Sequence, residues 1–198
     1  MPATNSMVLA IRSIAACFLL TGMACYIVPA PAHAADEAAL WQSLRSGEAF
    51  AILRHELAPG TGDPDNFQIG DCSTQRNLND TGKKRARATG DRFRANGIAS
   101  AEVYSSQWCR CRETAQLLEL GEVNDLPALN SFYENDQDAA PRTGQLQEWL
   151  SARDPGKPLV LVTHQVNIRA LTGQPASSGQ ILVIRLPTDD RIEVLGKL

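Results

Sequence analysis

The segment Leu159-Val-Leu-Val-Thr163 is continuously apolar and rich in β-branched residues, between a Pro155-Gly-Lys-Pro158 turn and His164. A strand without polar alternation belongs in a parallel sheet buried on both faces. Such a sheet needs helices on both sides, and the rest of the chain reads as their supply. Residues 37–46 are helix-like and closed by Gly47, and Ala49 to Leu53 is a short apolar strand. Leu78 to Gly97 reads as one long helix, capped by Asn79 or Asp80 and ended by Asn96-Gly97. A strand at 102–105, a helix at 111–120, an irregular polar stretch at 122–142 and a helix at 143–152 precede the buried run. A short helix at 167–172 and a hairpin of 180–186 with 191–195 close the chain. The expected fold is a single-domain three-layer α/β/α sandwich around a mostly parallel sheet, with no large cap insertion. The 198 residues, 43% hydrophobic and 21% charged, suffice for one such core.

The first 34 residues stand apart. Arg12 is their only charged side chain, the apolar run from Ile14 to Val28 follows it, and Ala32-His-Ala34 ends the segment with a small-x-small site. A basic start, an apolar middle and an A-x-A end make a secretory signal peptide, cleaved after Ala34. A retained anchor would need ~20 apolar residues, and Gly22 and Pro29 interrupt this run. A lipoprotein site at Cys25 is a weaker alternative, because Gly22 stands where a Leu is expected. The domains are therefore 1–34, signal peptide, and 35–198, a single folded domain, and the mature chain is expected to be periplasmic or secreted, without stable membrane insertion. It carries 18 basic and 22 acidic side chains, a net charge of −4. That balance offers nothing to neutralise a nucleic-acid backbone.

Export leaves Cys72, Cys109 and Cys111. In an oxidising compartment three thiols suggest one disulfide and one free Cys. A ring closed between residues two apart is strained, so Cys72 is expected to pair with Cys109 or Cys111. A Zn site is the rival reading, but C-x-C lacks a second ligand pair at metal spacing. No metal and no cofactor are expected.

In open α/β sheets ligands bind beyond the carboxyl ends of the strands. Here Arg54 and His55 follow the first strand, Ser105-Ser106-Gln-Trp-Cys-Arg110 follows the second, and His164 follows the buried run. Both histidines of the mature chain thus fall in one crevice beside two arginines. Guanidinium groups present paired donors to phosphate oxygens, a neutral imidazole can attack phosphorus, and a second can donate to an equatorial oxygen. The chemistry suggested is phosphoryl transfer through a phosphorylated histidine.

Four motifs carry a resemblance. Leu53-Arg54-His55, the helix start Leu78-Asn-Asp-Thr-Gly82, Ser105-Ser106-x-x-x-Arg110-x-x-x-Thr114-Ala115 and Val162-Thr163-His164 resemble the histidine phosphatase superfamily, nearest its phosphoglycerate-mutase-like branch. The resemblance spans residues 49 to 186. It implies that His55 is the phosphorylated nucleophile and that Arg54, Arg110 and His164 complete the phosphate pocket. Arg112 reads as a solvated helix charge. Arg76, in the long loop from Glu56 to Asn77, is read as substrate-binding, with a surface salt bridge as its bland alternative; a loop of that length is usually functional.

Two departures stand out. Glu56 occupies the place of the usual Gly after Arg-His, and Gln165 follows the second His where the acid-phosphatase branch has Asp. The proton donor is therefore assigned to Glu134 in Phe132-Tyr-Glu-Asn-Asp136, with Asp136 and Glu56 behind it. The absence of a cap implies a shallow pocket for a small phosphorylated substrate or a phosphoprotein, and argues against a mutase role. Two rival functions remain at this point: a binding module that holds a phospholigand without turnover, and a redox or metal protein built on Cys109 and Cys111. The sequence does not define an oligomeric state.

Overall fold

The computed structural model describes Met1 and residues 32–133, 135–185 and 192–198, with side chains from Asp36 onward. The signal peptide assigned to 1–34 lies almost wholly outside the described residues, as does Glu134. Among the described residues no helix is long and apolar enough to cross a membrane.

The described chain runs α1 (Ala32–Ser46), β1 (Ala49–Arg54), α2 (Asp80–Ala95), β2 (Glu102–Ser105), α3 (Cys109–Leu117), β3 (Val123–Asp125), α4 (Ala139–Ser151), β4 (Leu159–Thr163), α5 (Gln165–Thr172), β5 (Ile181–Arg185) and β6 (Val194–Lys197). Short 3₁₀ turns occupy Cys72–Thr74, Pro127–Leu129 and Asp136–Asp138. One six-stranded sheet has the order β3-β2-β4-β1-β5-β6. β3, β2, β4 and β1 are mutually parallel, β5 is antiparallel to β1, and β6 is antiparallel to β5. The three-layer, mostly parallel architecture holds.

β4 is buried at all five positions, as its composition requires. Its side chains divide between two cores with a period of two. Val160 and Val162 pack with Trp41, Leu44, Phe93 and Leu118 under α1, α2 and α3, while Leu159 and Leu161 pack with Leu129, Leu146, Leu150 and Ile168 under α4 and α5. Trp41 and Phe93 meet edge to face at 5.2 Å and join α1 to α2.

Six elements depart from expectation; among them α5 begins at Gln165 rather than 167, and β6 covers Val194–Lys197 rather than 191–195. α1 begins at Ala32 rather than 37. α3 covers Cys109–Leu117 rather than 111–120, which puts Arg110 in its first turn. α4 starts at Ala139 rather than 143; Pro141 lies in its first turn, where a missing N–H costs no helical hydrogen bond. The stretch 122–142 is not wholly irregular, because Val123-Asn-Asp125 adds an edge strand beside β2. With one apolar residue in three and half-exposed side chains, it carried no strand pattern; pairing with β2 makes it one.

Register decides what this scaffold can do. Arg54 lies opposite Thr163, and Ser105 opposite Val162. The carboxyl ends of β1, β4 and β2 therefore finish level, and the residues just beyond them share one floor.

Candidate active site

A cleft of about 330 Å³ opens over that floor. Arg54, His55, Arg76, Arg110 and His164 all line it. The walls are loop residues, with Gly60 to Asp63 and Phe67 on one side and Ser131 to Tyr133 on another.

His55 continues β1 by donating its N–H to Thr163 O at 2.9 Å, and it is 2% exposed. Its Nδ1 lies 2.8 Å from Glu56 O, so it carries the proton and donates to that carbonyl. The Nε2 lone pair is thereby turned to the cleft, where it accepts the Arg110 Nε hydrogen at 3.3 Å. Burial above all, with the charges of Arg110, Arg54 and Arg76, lowers the His55 pKa to about 3 against the opposing pull of the Glu56 carbonyl. The ring is neutral at physiological pH, as a nitrogen nucleophile must be.

His164 caps α5 from the end of β4, its ring centroid 5.5 Å from that of His55. Ser106 Oγ sits 2.9 Å from its Nε2 and 3.3 Å from Asn130 Oδ1. The Cys111 sulfur lies 3.4 Å from the same ring nitrogen. Burial, then the Arg110 charge, drives the His164 pKa well below its usual value. The buried Cys111 thiol is itself pushed up to about 12 by burial, so it stays protonated and chemically quiet.

The motif spacings acquire physical reasons. Thr114, one turn after Arg110, donates from its hydroxyl to Arg110 O at 2.7 Å and accepts the Glu56 N–H at 3.0 Å. One side chain thus ties α3 to the loop that follows His55. Gly82 lets the start of α2 press onto that loop, since a Cβ there would meet Leu57 O at 2.3 Å. Asn79 caps α2 through Gly82 N and donates its own N–H to Leu57 O at 3.2 Å.

Glu56 does not enter the cleft. Its buried carboxylate lies against Gly179, where a Cβ would stand 2.0 Å from Oε1, and burial raises its pKa. The extra side chain is thus housed behind His55, which removes it as a source of bulk in the pocket or as a donor there. Asp136 is exposed on its 3₁₀ turn and does not line the cleft. Gln165 accepts the Ala176 N–H at 2.9 Å and orders the turn after α5. Arg112 pairs with Asp125 at the surface, as its solvated-charge reading requires.

Arg76 lines the cleft and forms no surface salt bridge among the described residues. Its Nε donates to Gly62 O at 2.8 Å and its Nη1 to Ala58 O, so the guanidinium also braces the loop that carries it. Arg54 makes one long bond, Nη1 to Ala176 O at 3.4 Å, and its buried Nε has no acceptor among the described residues. Cys72 is bonded to Cys109, which excludes Cys111 and staples the long loop to the start of α3 next to Arg110.

One residue escaped the sequence. Asp63 grips Arg110 end-on, with Oδ1 2.6 Å from Nη1 and Oδ2 3.1 Å from Nη2. It also accepts from Trp108 Nε1 at 2.9 Å and from Arg76 N at 3.2 Å. Burial opposes its ionisation, but these four hydrogen bonds and the Arg110 charge outweigh that and hold its pKa below the usual range. Its only signal was a carboxylate in a Gly-Pro-rich loop already expected to be functional.

The parallel-sheet floor thus presents neutral imidazoles beside guanidinium groups, a donor set of the kind that pairs with an oxyanion. Residues 68–134 match the sequence model of the histidine phosphatase superfamily (branch 1). Among solved structures, the protein histidine phosphatase SixA complexed with tungstate is 15% identical, with 76% of this chain and 96% of that one covered and a TM-score of 0.56. YhfR of Bacillus stearothermophilus is 15% identical over 74% of this chain and 94% of its own, with a TM-score of 0.54. A mutant phosphoserine phosphatase of Entamoeba histolytica holding phosphoserine is 14% identical over 75% and 95%, with a TM-score of 0.51. No curated protein matches the sequence. The partial sequence match over residues 68–134 and the shared fold both agree with the resemblance carried by the four motifs.

Proposed function

We propose that the protein is an exported phosphatase that hydrolyses a phosphomonoester, or a phosphorylated protein side chain, through a phosphohistidine on His55. The observation that carries this reading is the state of His55 itself: neutral, its Nδ1 committed to Glu56 O, and its Nε2 turned toward an arginine cluster on the cleft floor. Nε2 attacks phosphorus, an N–P bond forms, and the P–O bond to the leaving group breaks. Arg54, Arg110 and His164 donate to the phosphoryl oxygens as charge develops, and Arg76 stands within the same wall. The buried, unpaired Arg54 Nε is a donor that a phosphoryl oxygen satisfies. A carboxyl protonates the departing oxygen, a role we assign to Glu134. The resulting carboxylate then takes a proton from a water molecule as its oxygen attacks phosphorus; the N–P bond breaks, releasing inorganic phosphate and restoring neutral His55. That a protein of the same fold holds tungstate, a tetrahedral oxyanion, supports an oxyanion pocket.

Removal of residues 1–34 as a signal peptide fits the Cys72–Cys109 bond, which calls for an oxidising compartment. The test of mechanism is His55→Ala assayed with an aryl phosphate, beside acid-quench trapping of labelled enzyme. Turnover is expected to fall by about 10³-fold or more, and the acid-labile label to vanish. Turnover that survives the substitution sinks the mechanism. Tight phosphate binding without any phosphoenzyme would instead favour a binding module.

A further inference from the structure

The phosphatase reading leaves Asp63 unexplained. A carboxylate inside a phosphate pocket competes with the substrate for the same guanidinium, and this one occupies both terminal nitrogens of Arg110. It is too well bonded to be incidental. Besides Arg110, it takes the Trp108 Nε1 hydrogen and the Arg76 backbone hydrogen, and Phe67 stacks on Trp108 at 4.9 Å between ring centroids. The segment carrying it is stapled by Cys72–Cys109 immediately before Arg110.

The geometry limits what Arg110 can offer. With Nη1 and Nη2 committed end-on to Asp63, the edge left toward the nucleophile is Nε, 3.3 Å from His55 Nε2. A phosphoryl group arriving at Nε2 meets that single N–H at the point where oxygen charge develops. Charge counting leads the same way. Three guanidinium groups line the cleft, both imidazoles are neutral, and Asp63 is the one carboxylate among the described lining residues. The net local charge is +2, which matches a phosphomonoester dianion. Without Asp63 it would be +3, and Arg110 would be free to fork onto the inorganic phosphate that must leave at the end of each cycle.

We infer that Asp63 is a positioning residue for Arg110: it fixes the guanidinium end-on, presents Nε over His55, and prevents Arg110 from trapping the phosphate product. The inference rests on the phosphatase reading for its purpose, but its central observable is phosphate affinity, which requires no turnover.

The test is Asp63→Asn, which keeps the side-chain shape and an acceptor for Trp108 while removing the charge. Inorganic phosphate binding is measured by calorimetry, and kcat, KM and orthovanadate inhibition with an aryl phosphate. The expected result is phosphate and vanadate binding tightened by about tenfold or more, with KM and kcat falling together. Asp63→Glu, which restores the charge, is expected to return phosphate affinity most of the way to wild type. Should the Asn variant fail to fold, Asp63→Ser reads the same affinity. Phosphate affinity that is unchanged or weaker on loss of the charge overturns the proposal, as does phosphate binding by neither wild type nor variant. Wild type that binds phosphate but never turns over refutes the phosphatase reading, while the affinity change still decides the role of Asp63.

Discussion

The floor and the loop wall of the cleft are built by different physics. The floor residues His55, His164 and Ser106 stand at the level ends of three parallel strands, and the backbone ladder continues past them: His55 N binds Thr163 O, and Ser106 N binds Val162 O at 3.0 Å. The wall from Leu57 to Asn77 has no strand and only one 3₁₀ turn. It is held by side chains reaching for backbone and by one covalent staple: Gln75 Nε2 to Gln68 O at 2.8 Å, Thr74 Oγ1 to Asp71 O at 2.8 Å, the Arg76 brace and Cys72–Cys109. A site can thus draw its reacting groups from regular structure and its charge balance from a stapled loop. The two halves should fail under different stresses.

Acid should attack the floor with the largest effect. His55 is neutral in the fold down to about pH 3, whereas an unfolded histidine protonates near 6.5. His164 is shifted in the same direction. Between these values the unfolded chain binds more protons, so the stability each histidine contributes is present above the unfolded pKa and is lost as pH falls. Each contributes a slope of up to about 1.4 kcal/mol per pH unit. Glu56 works the other way, because burial raises its folded pKa and acid favours its neutral form in the fold. Denaturant titrations from pH 7.5 to 4 should show a loss that His55→Asn flattens and Glu56→Gln steepens. A flat profile for wild type would mean that the imidazoles are not desolvated as described.

Reduction should attack the wall. Cys72→Ser with Cys109→Ser frees a loop closed over a sequence separation of 37 residues, at an expected cost of ~2–4 kcal/mol. The wall carries Asp63 and Arg76, so on the proposed function KM for an aryl phosphate should change more than kcat does. A double variant with lower stability but an unchanged KM would show that the side-chain bonds alone hold the wall in place.

The same contrast explains what the sequence could reveal. The floor was legible because a buried strand leaves no choice of periodicity, and because the motif spacings are fixed by single contacts, as Thr114 and Gly82 demonstrate. Asp63 was illegible for the opposite reason. Its partners Arg110 and Trp108 are 47 and 45 residues away, and no periodic pattern relates a loop carboxylate to a helix arginine. The edge strand at Val123 was hidden likewise, since its identity comes from β2 and not from its own side chains. The disulfide fell between: the choice of Cys72 followed from ring strain, while the choice of Cys109 over Cys111 needed α3 to begin at 109, so that Cys111 turns inward toward His164.

Thr114 is where floor and wall meet, and it gives the smallest and most discriminating prediction. Its hydroxyl serves two backbone groups at once, donating to Arg110 O and accepting from Glu56 N. Thr114→Val keeps the shape and loses both bonds, stranding a buried N–H next to His55. Arg110 O loses only a supplementary donor. The expected cost is about 1–3 kcal/mol by urea denaturation, that of one orphaned buried donor. Because Glu56 O fixes the His55 tautomer, a shift of this peptide should also lower kcat, with KM moving little. Thr114→Ser keeps the hydroxyl and should restore kcat even if some packing is lost. If Val lowers stability while leaving kcat intact, the Thr114 contact holds the fold together but does not set the His55 ring, and Glu56 O keeps its place without the Thr114 hydroxyl.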